Sequence, residues 1–254
     1  RGNLYILNSE YLKALRTIQT GHHQKDGIMD ELFEAGYVID DDIDERDFFR
    51  KKNIEWMKKV LYGGQLRMLN LMISEACNFG CQHCLHKCSV NASSTIRKKL
   101  LMDWQTAKAA IDGYVSIMHK WGKPLIVHFG SAEPLLNYPI LSQAINYIRS
   151  IDQNALLAVN TNLSLLTREM AEFFRDNHIL ISTSLDGPPK GNAAIRQFKN
   201  KKGTYQIITE KFELLADVGY PLDGFSITLN DLNFDEVNHN FILWAHSQNF
   251  TGIA

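Results

Sequence analysis

The chain has four cysteines, Cys77, Cys81, Cys84 and Cys88, all within the stretch 77–88. The first three lie in Cys77-Asn78-Phe79-Gly80-Cys81-Gln82-His83-Cys84, with spacings of three and then two intervening residues. Thiolates are soft ligands that suit zinc and iron–sulfur clusters. Three in one tight loop can hold three irons of a 4Fe-4S cube and leave the fourth iron without a protein ligand. An open coordination position lets a metal site do chemistry instead of bracing a fold. Two other readings of these residues stay open at this point. A structural zinc site would add His83 or His86, and a closed electron-transfer cluster would add Cys88. Disulfide staples are spread along a chain to close loops. Clustered cysteines without a signal-peptide pattern argue instead for a metal or cluster site in a reducing compartment, and so for a cytoplasmic protein.

Other chemistry-bearing residues follow apolar runs. In Phe129-Gly130-Ser131-Ala132-Glu133-Pro134-Leu135-Leu136-Asn137, small residues let the backbone approach a ligand, and Glu133 offers a carboxylate to an ammonium. Asn160-Thr161-Asn162 and Ser184-Leu185-Asp186-Gly187 end two further runs, and Arg196 follows. A guanidinium grips a carboxylate through two hydrogen bonds. Asp186, beside Gly187-Pro188, reads equally well as a turn or helix-cap residue. His86 and His128 read as structural.

The elements that must position these residues alternate. Short apolar runs at 68–73, 124–129, 155–159, 179–184 and 225–229 suit buried parallel strands, and 250–254 begins a sixth. Helical patterns lie between them. Asp103 caps one carrying Ala107, Ala110, Ile111, Tyr114, Val115 and Met118; Thr167 caps one with Met170, Phe173 and Phe174. Thr204 opens a third, and Gly219 sits where a helix terminator belongs. Such repetition implies right-handed βαβ units and a parallel sheet. Polar residues at several parallel strand ends place a site on the C-terminal face. Residues 1–66 read as a separate small α+β domain: a strand near 4–7, helices near 11–18 and 29–35, an acidic loop around Asp40-Asp41-Asp42, and an amphipathic segment with Phe48, Phe49, Ile54, Trp56 and Met57. Gly63-Gly64 makes a hinge into residues 67–254.

The bulk properties are those of a globular protein, with 45% hydrophobic and 22% charged residues among 254 and a net charge of −1. No global field points to nucleic acid or an anionic membrane, and no apolar run approaches the length of a membrane span. The chain opens on Arg1-Gly2 and stops as the sixth strand begins, as expected of a fragment.

The cysteine loop after the first strand resembles the signature of the radical SAM superfamily. The stretch 129–137 is similar to the family's Gly-Gly-Glu-Pro motif, and 160–162 to its Thr-Asn-Gly. Residues 184–203, including Lys202-Gly203, resemble the SPASM-type subgroup of peptide maturases and anaerobic sulfatase-maturating enzymes. Three departures stand out: His83 replaces the usual aromatic residue, Ser131-Ala132 the paired glycines, and Leu163 the last glycine of Thr-Asn-Gly.

The resemblance implies a partial (β/α)6, TIM-like radical SAM barrel behind the small N-terminal domain. It implies a 4Fe-4S cluster on Cys77, Cys81 and Cys84, cleaving S-adenosylmethionine (SAM) to a 5′-deoxyadenosyl radical. Gly130, Ser131, Ala132 and Glu133 would hold the methionine amino group, Ser184 the ribose and Arg196 the methionine carboxylate; the His83 backbone would meet adenine, and Asn162 would complete the SAM contacts. The expected substrate is a ribosomally synthesised peptide or protein, with a flavodoxin- or ferredoxin-like electron donor. The leading segment through Glu34-Ala35-Gly36-Tyr37-Val38-Ile39 resembles that of peptide-modifying members; a cap on the barrel is the other reading. Formylglycine formation on a sulfatase is the alternative activity, and a non-catalytic zinc or iron–sulfur module the alternative class. Relatives in the subgroup usually continue into a C-terminal cysteine-rich domain, and sequence beyond residue 254 would show whether such cysteines follow here.

Overall fold

A computed structural model describes residues 9–19, 27–34, 38, 44–61, 63–84, 100–130 and 132–254. Contacts divide the chain into two units, Arg1–Gly64 and Gln65–Ala254. In the first, α1 (Ser9–Gln19), α2 (Gly27–Glu34) and α3 (Glu45–Leu61) are described. Met29 and Leu32 of α2 are buried, and the Tyr11 hydroxyl of α1 donates to Glu31 of α2. Asp44 caps α3, its Oδ1 accepting from the Arg46 amide at 2.9 Å. The strand expected near 4–7 and the acidic run 40–42 lie outside the described residues.

The second unit runs β1 (Leu69–Leu71), α4 (Trp104–Lys120), β2 (Ile126–Phe129), a 3-10 turn (Pro134–Asn137), α5 (Tyr138–Ile151), β3 (Leu156–Asn160), α6 (Arg168–Asp176), β4 (Leu180–Ser182), α7 (Pro189–Ile195), α8 (Tyr205–Asp217), β5 (Gly224–Phe225), α9 (His239–Ser247) and β6 (Gly252–Ile253). Strands β1 to β4 pair in parallel in chain order, as do β5 and β6. A parallel bridge from Ser184 to Ser226 carries the order across from β4 to β5. The result is the expected partial, TIM-like parallel barrel, with six strands in sequence and intervening helices among the described residues.

The pleat sorts the residues. Leu71, Val127, Phe129, Leu157 and Val159 point to one face and form the core with Ile111 and Met118 of α4, Ile145 and Ile148 of α5 and Phe174 of α6, all essentially inaccessible. Residues of opposite parity face the other way: Asn70, Met72, His128, Asn160, Leu180 and Ser182 line the concave inner wall, which is largely solvent-accessible.

Local signals hold where local chemistry sets them. Asp103 and Thr167 accept from the Thr106 and Met170 amides and cap α4 and α6, and Gly219 ends α8 with φ +74°. Thr204 precedes α8 without capping it; its hydroxyl donates to the Arg196 carbonyl and accepts from Asn192. The strand expected at 225–229 is shorter because the Thr228 amide leaves the ladder for the Asp186 carboxylate. Helices α5, α7 and α9 were not expected; α5 and α7 have proline in their first turn, where a missing amide is harmless. At β5, a Cβ on Gly224 would sit 1.9 Å from the Gly252 carbonyl oxygen, so β5 and β6 pair closely only with glycine there. Among the described residues no helix is long and apolar enough to cross a membrane.

Candidate functional site

A cavity of about 390 Å³ opens at the C-terminal ends of the barrel strands, within the usual size range of small-molecule sites. It is lined by Cys77, Cys81, Cys84 and His83 of the cysteine loop and by Ala132, Asn162, Ser184 and Arg196, all anticipated from sequence; Phe79, Asn160, Thr161 and Thr228 complete it. Gly130 and Glu133 are not among the lining residues, and Ser131, His86 and Cys88 lie outside the described residues.

The cysteine loop is fastened on two sides. Toward β3, Asn162 Nδ2 donates to Asn78 Oδ1 at 2.9 Å and approaches Cys77 Sγ at 3.7 Å, while Asn78 Nδ2 donates to Ser164 Oγ at 2.8 Å. Toward the segment after α7, the Gly80 and Gln82 amides donate to the Gln197 and Ile195 carbonyls at 2.7 and 2.8 Å. Phe79 packs edge-on against Phe198 with ring centroids 5.0 Å apart. The three thiols are half-buried, and none is joined in a disulfide.

Burial pushes the Cys81 thiol pKa up; the Arg196 charge pulls it down, and Cys84 and Asp186 add smaller upward pushes. A thiol binds metal as thiolate, so loading the site must displace this proton. His83 has a lowered pKa, chiefly from burial, and its Nδ1 is buried without a hydrogen-bond partner.

Glu133 corrects the sequence reading. Its carboxylate, expected to meet an ammonium, is fully buried, does not line the cavity and is taken up by groups at the strand ends. Oε1 accepts from the Thr161 hydroxyl at 2.6 Å and the Leu135 amide at 3.0 Å, and Oε2 from the Asn162 amide at 2.8 Å. The Glu133 amide donates to the Ala76 carbonyl at 3.0 Å. Glu133 therefore joins the ends of β2 and β3 to the start of the cysteine loop. A Cβ on Gly130 would lie 2.5 Å from Cε1 of His128, whose Nδ1 is 2.7 Å from Asn70 Oδ1, so the ring would have to shift.

Arg196 stands opposite the cysteines. Its Nε donates to Asp186 Oδ2 at 2.7 Å in a buried ion pair, and Nη1 lies 3.9 Å from Cys81 Sγ. Asp186 is no mere turn residue; its second oxygen accepts from the Thr228 amide at 2.9 Å. Asn233, missed from sequence, donates to the Asp186 and Thr228 carbonyls at 2.9 and 3.0 Å.

The donor set suits a cluster better than a lone ion. Three cysteine thiols and His83 border one cavity, yet among the described residues no three His, Cys, Asp or Glu side chains converge on a single ion position, as a tetrahedral zinc would require.

Comparison with known proteins agrees. Relatives by sequence include the radical SAM cyclopropyl synthase TigE of Paramaledivibacter caminithermalis, 22% identical over 89% of this chain and 49% of TigE. Another is the serine-type anaerobic sulfatase-maturating enzyme of Bacteroides thetaiotaomicron, 24% identical over 74% of this chain and 49% of that enzyme. The chain thus spans about half the length of these curated relatives. Among solved structures, native anSMEcpe with bound AdoMet matches with a TM-score of 0.59 at 15% identity, over 74% of this chain and 50% of that one, which supports the barrel fold. The Radical SAM superfamily model matches residues 71–241, from the end of β1 into α9 and through the whole cysteine loop, and the chain belongs to that superfamily.

Proposed function

We propose that this chain is the core of a radical SAM enzyme that modifies a side chain of a ribosomally synthesised peptide or a protein. One observation carries the reading: three cysteine thiols line a single cavity at the strand ends together with Arg196 and Ser184. Bound there, a 4Fe-4S cluster and SAM would supply one-electron cleavage to a 5′-deoxyadenosyl radical, which takes a hydrogen atom from the substrate. The residues of the chain do the holding. Cys77, Cys81 and Cys84 supply the ligands, on a loop kept in shape by the Gly80 and Gln82 amides. Arg196 would hold the methionine carboxylate, Ser184 the ribose and the His83 backbone the adenine, with Asn162 completing the SAM contacts. With the Glu133 carboxylate held by Leu135, Thr161 and Asn162, the amino group would fall to Gly130, Ser131 and Ala132.

A large substrate is supported by the inner wall. Parallel sheets are ordinarily covered on both faces, yet Met72, Leu156 and Leu180 there are 48%, 54% and 62% exposed. The similarity to TigE and to sulfatase-maturating enzymes supports a peptide or protein substrate, with formylglycine formation as the second reading. A flavodoxin- or ferredoxin-like protein is the proposed electron donor.

The test is anaerobic reconstitution of the full-length protein, iron and sulfide analysis, and measurement of 5′-deoxyadenosine formed with SAM and reductant. Iron near four per chain or more, with SAM-dependent deoxyadenosine, is the expected result. Zinc without iron would overturn the enzyme reading. Sulfatase-derived serine and cysteine peptides, scored for a formylglycine aldehyde by mass, separate the two substrate readings.

A further inference from the structure

We infer that Asp186 is the positioning residue of the SAM carboxylate site, acting through Arg196; this rests on the proposed SAM reading. A guanidinium has two hydrogen-bonding edges and five N–H donors. Asp186 takes Nε at 2.7 Å and leaves the terminal nitrogens beside the cavity, with Nη1 donating toward Cys81 Sγ at 3.9 Å. The other Asp186 oxygen accepts from the Thr228 amide, and Asp186 is fully buried and does not line the cavity, so this carboxylate meets no ligand and serves to orient.

The pair is braced from both ends by side chains that the SAM contacts do not use. Asn192 Oδ1 accepts from the Asp186 amide at 3.0 Å, and Asn233 Nδ2 donates to the Asp186 carbonyl at 2.9 Å. The Arg196 amide donates to the Asn192 carbonyl at 2.7 Å, and the Thr204 hydroxyl to the Arg196 carbonyl at 2.8 Å. Asp186, Asn192, Thr204 and Asn233 are all fully buried. A buried polar network satisfied at every member fixes one geometry. Here the fixed object is a cation whose terminal nitrogens border a cavity, the form that grips a carboxylate bidentately.

The experiment compares two ligands on the cluster-reconstituted full-length protein by anaerobic equilibrium dialysis. SAM carries the carboxylate; decarboxylated SAM keeps the adenosine, sulfonium and amine and lacks it. Asp186→Asn is expected to weaken SAM binding on the order of tenfold, as loss of an orienting partner does at metal ligands, with decarboxylated SAM and iron content unchanged. Arg196→Ala should show the same selective loss, and the double variant should be no weaker than Arg196→Ala alone. Wild-type SAM affinity in Asp186→Asn, or equal losses for both ligands, overturns the inference. If Arg196→Ala itself shows no selective loss, the SAM reading of Arg196 fails, whatever Asp186→Asn does. Should Asp186→Asn not load iron, Asp186→Glu decides by the same comparison: it keeps the charge pair and shifts the carboxylate by one methylene.

Discussion

Glu133→Ala removes the acceptor from three buried donors: the Leu135 and Asn162 amides and the Thr161 hydroxyl. The hydroxyl can rotate; the two amides cannot. At about 1–3 kcal/mol for each buried donor left unsatisfied, the amides alone cost about 2–6 kcal/mol, a large part of a typical stability of about 5–15 kcal/mol. Glu133→Gln keeps one oxygen for the Thr161 and Leu135 donors and turns its NH2 against the Asn162 amide, so it loses one acceptor and costs about 1–3 kcal/mol. At about 2–4 °C per kcal/mol for a chain of this size, Tm falls by about 5 °C in the glutamine variant and about 10 °C or more in the alanine variant. Thermal unfolding followed by circular dichroism at matched cluster content reads the order directly. An alanine variant as stable as the glutamine variant would falsify the three-donor account. The sign with pH is also fixed. Burial raises the Glu133 pKa above its ordinary 4.5, against the opposing pull of Thr161, Asn162 and Leu135. A folded-state pKa above the unfolded one gives stability that is full below the unfolded pKa and lost as pH rises through the folded value. The deficit of the non-titrating glutamine variant is therefore greatest in acid and narrows as pH rises.

Cys77→Ser, Cys81→Ser and Cys84→Ser are each expected to abolish the reduced-cluster electron paramagnetic resonance signal perturbed by SAM, while Cys88→Ser keeps it; loss in Cys88→Ser would revive a closed four-cysteine cluster. Gly130→Ala places a Cβ 2.5 Å from His128 Cε1, so the ring must give up Asn70, at about 1–3 kcal/mol. Adding His128→Ala should recover at least about 0.5 kcal/mol in a double-mutant cycle of unfolding free energies. Gly224→Ala meets backbone 1.9 Å away, which cannot yield; a loss beyond about 4 kcal/mol, or insoluble protein, is expected.

The division between what the sequence revealed and what it concealed follows the range of the forces. Asp103 and Thr167 bond to amides three residues ahead, so their capping role is written in adjacent letters. The cysteine spacing is local in the same sense. Glu133 misled because its residue type announces a carboxylate, whereas its direction depends on where β3 ends, 28 residues on in the case of Thr161. Thr228 and Asn233 were missed for the same reason: each reaches back more than 40 residues to Asp186, and in the sequence an asparagine of the 230–233 stretch looks only like a turn former. Arg196 was legible as a carboxylate-gripping type, but the pair that aims it was not.

Leu163 shows how core packing and site geometry oppose each other at the rim. It occupies the position where the family's Thr-Asn-Gly has glycine, and its φ of +62° is the left-handed conformation glycine adopts freely. A leucine there is strained by about 1–2 kcal/mol, and it stays because its side chain is completely buried in the main core. The turn so held directs the Asn162 amide to Glu133 and the Leu163 amide to the Thr161 hydroxyl. It also sets Asn162 against the cysteine loop. Truncation to alanine forfeits about 2–5 kcal/mol of packing and keeps the strain. Truncation to glycine forfeits the packing, adds about 0.5–1 kcal/mol of unfolded-state freedom and releases the strain. Leu163→Gly should therefore unfold at the same or a higher temperature than Leu163→Ala, the reverse of an ordinary buried position. Alanine proving the more stable by 1 kcal/mol or more would place the strain elsewhere than at this turn.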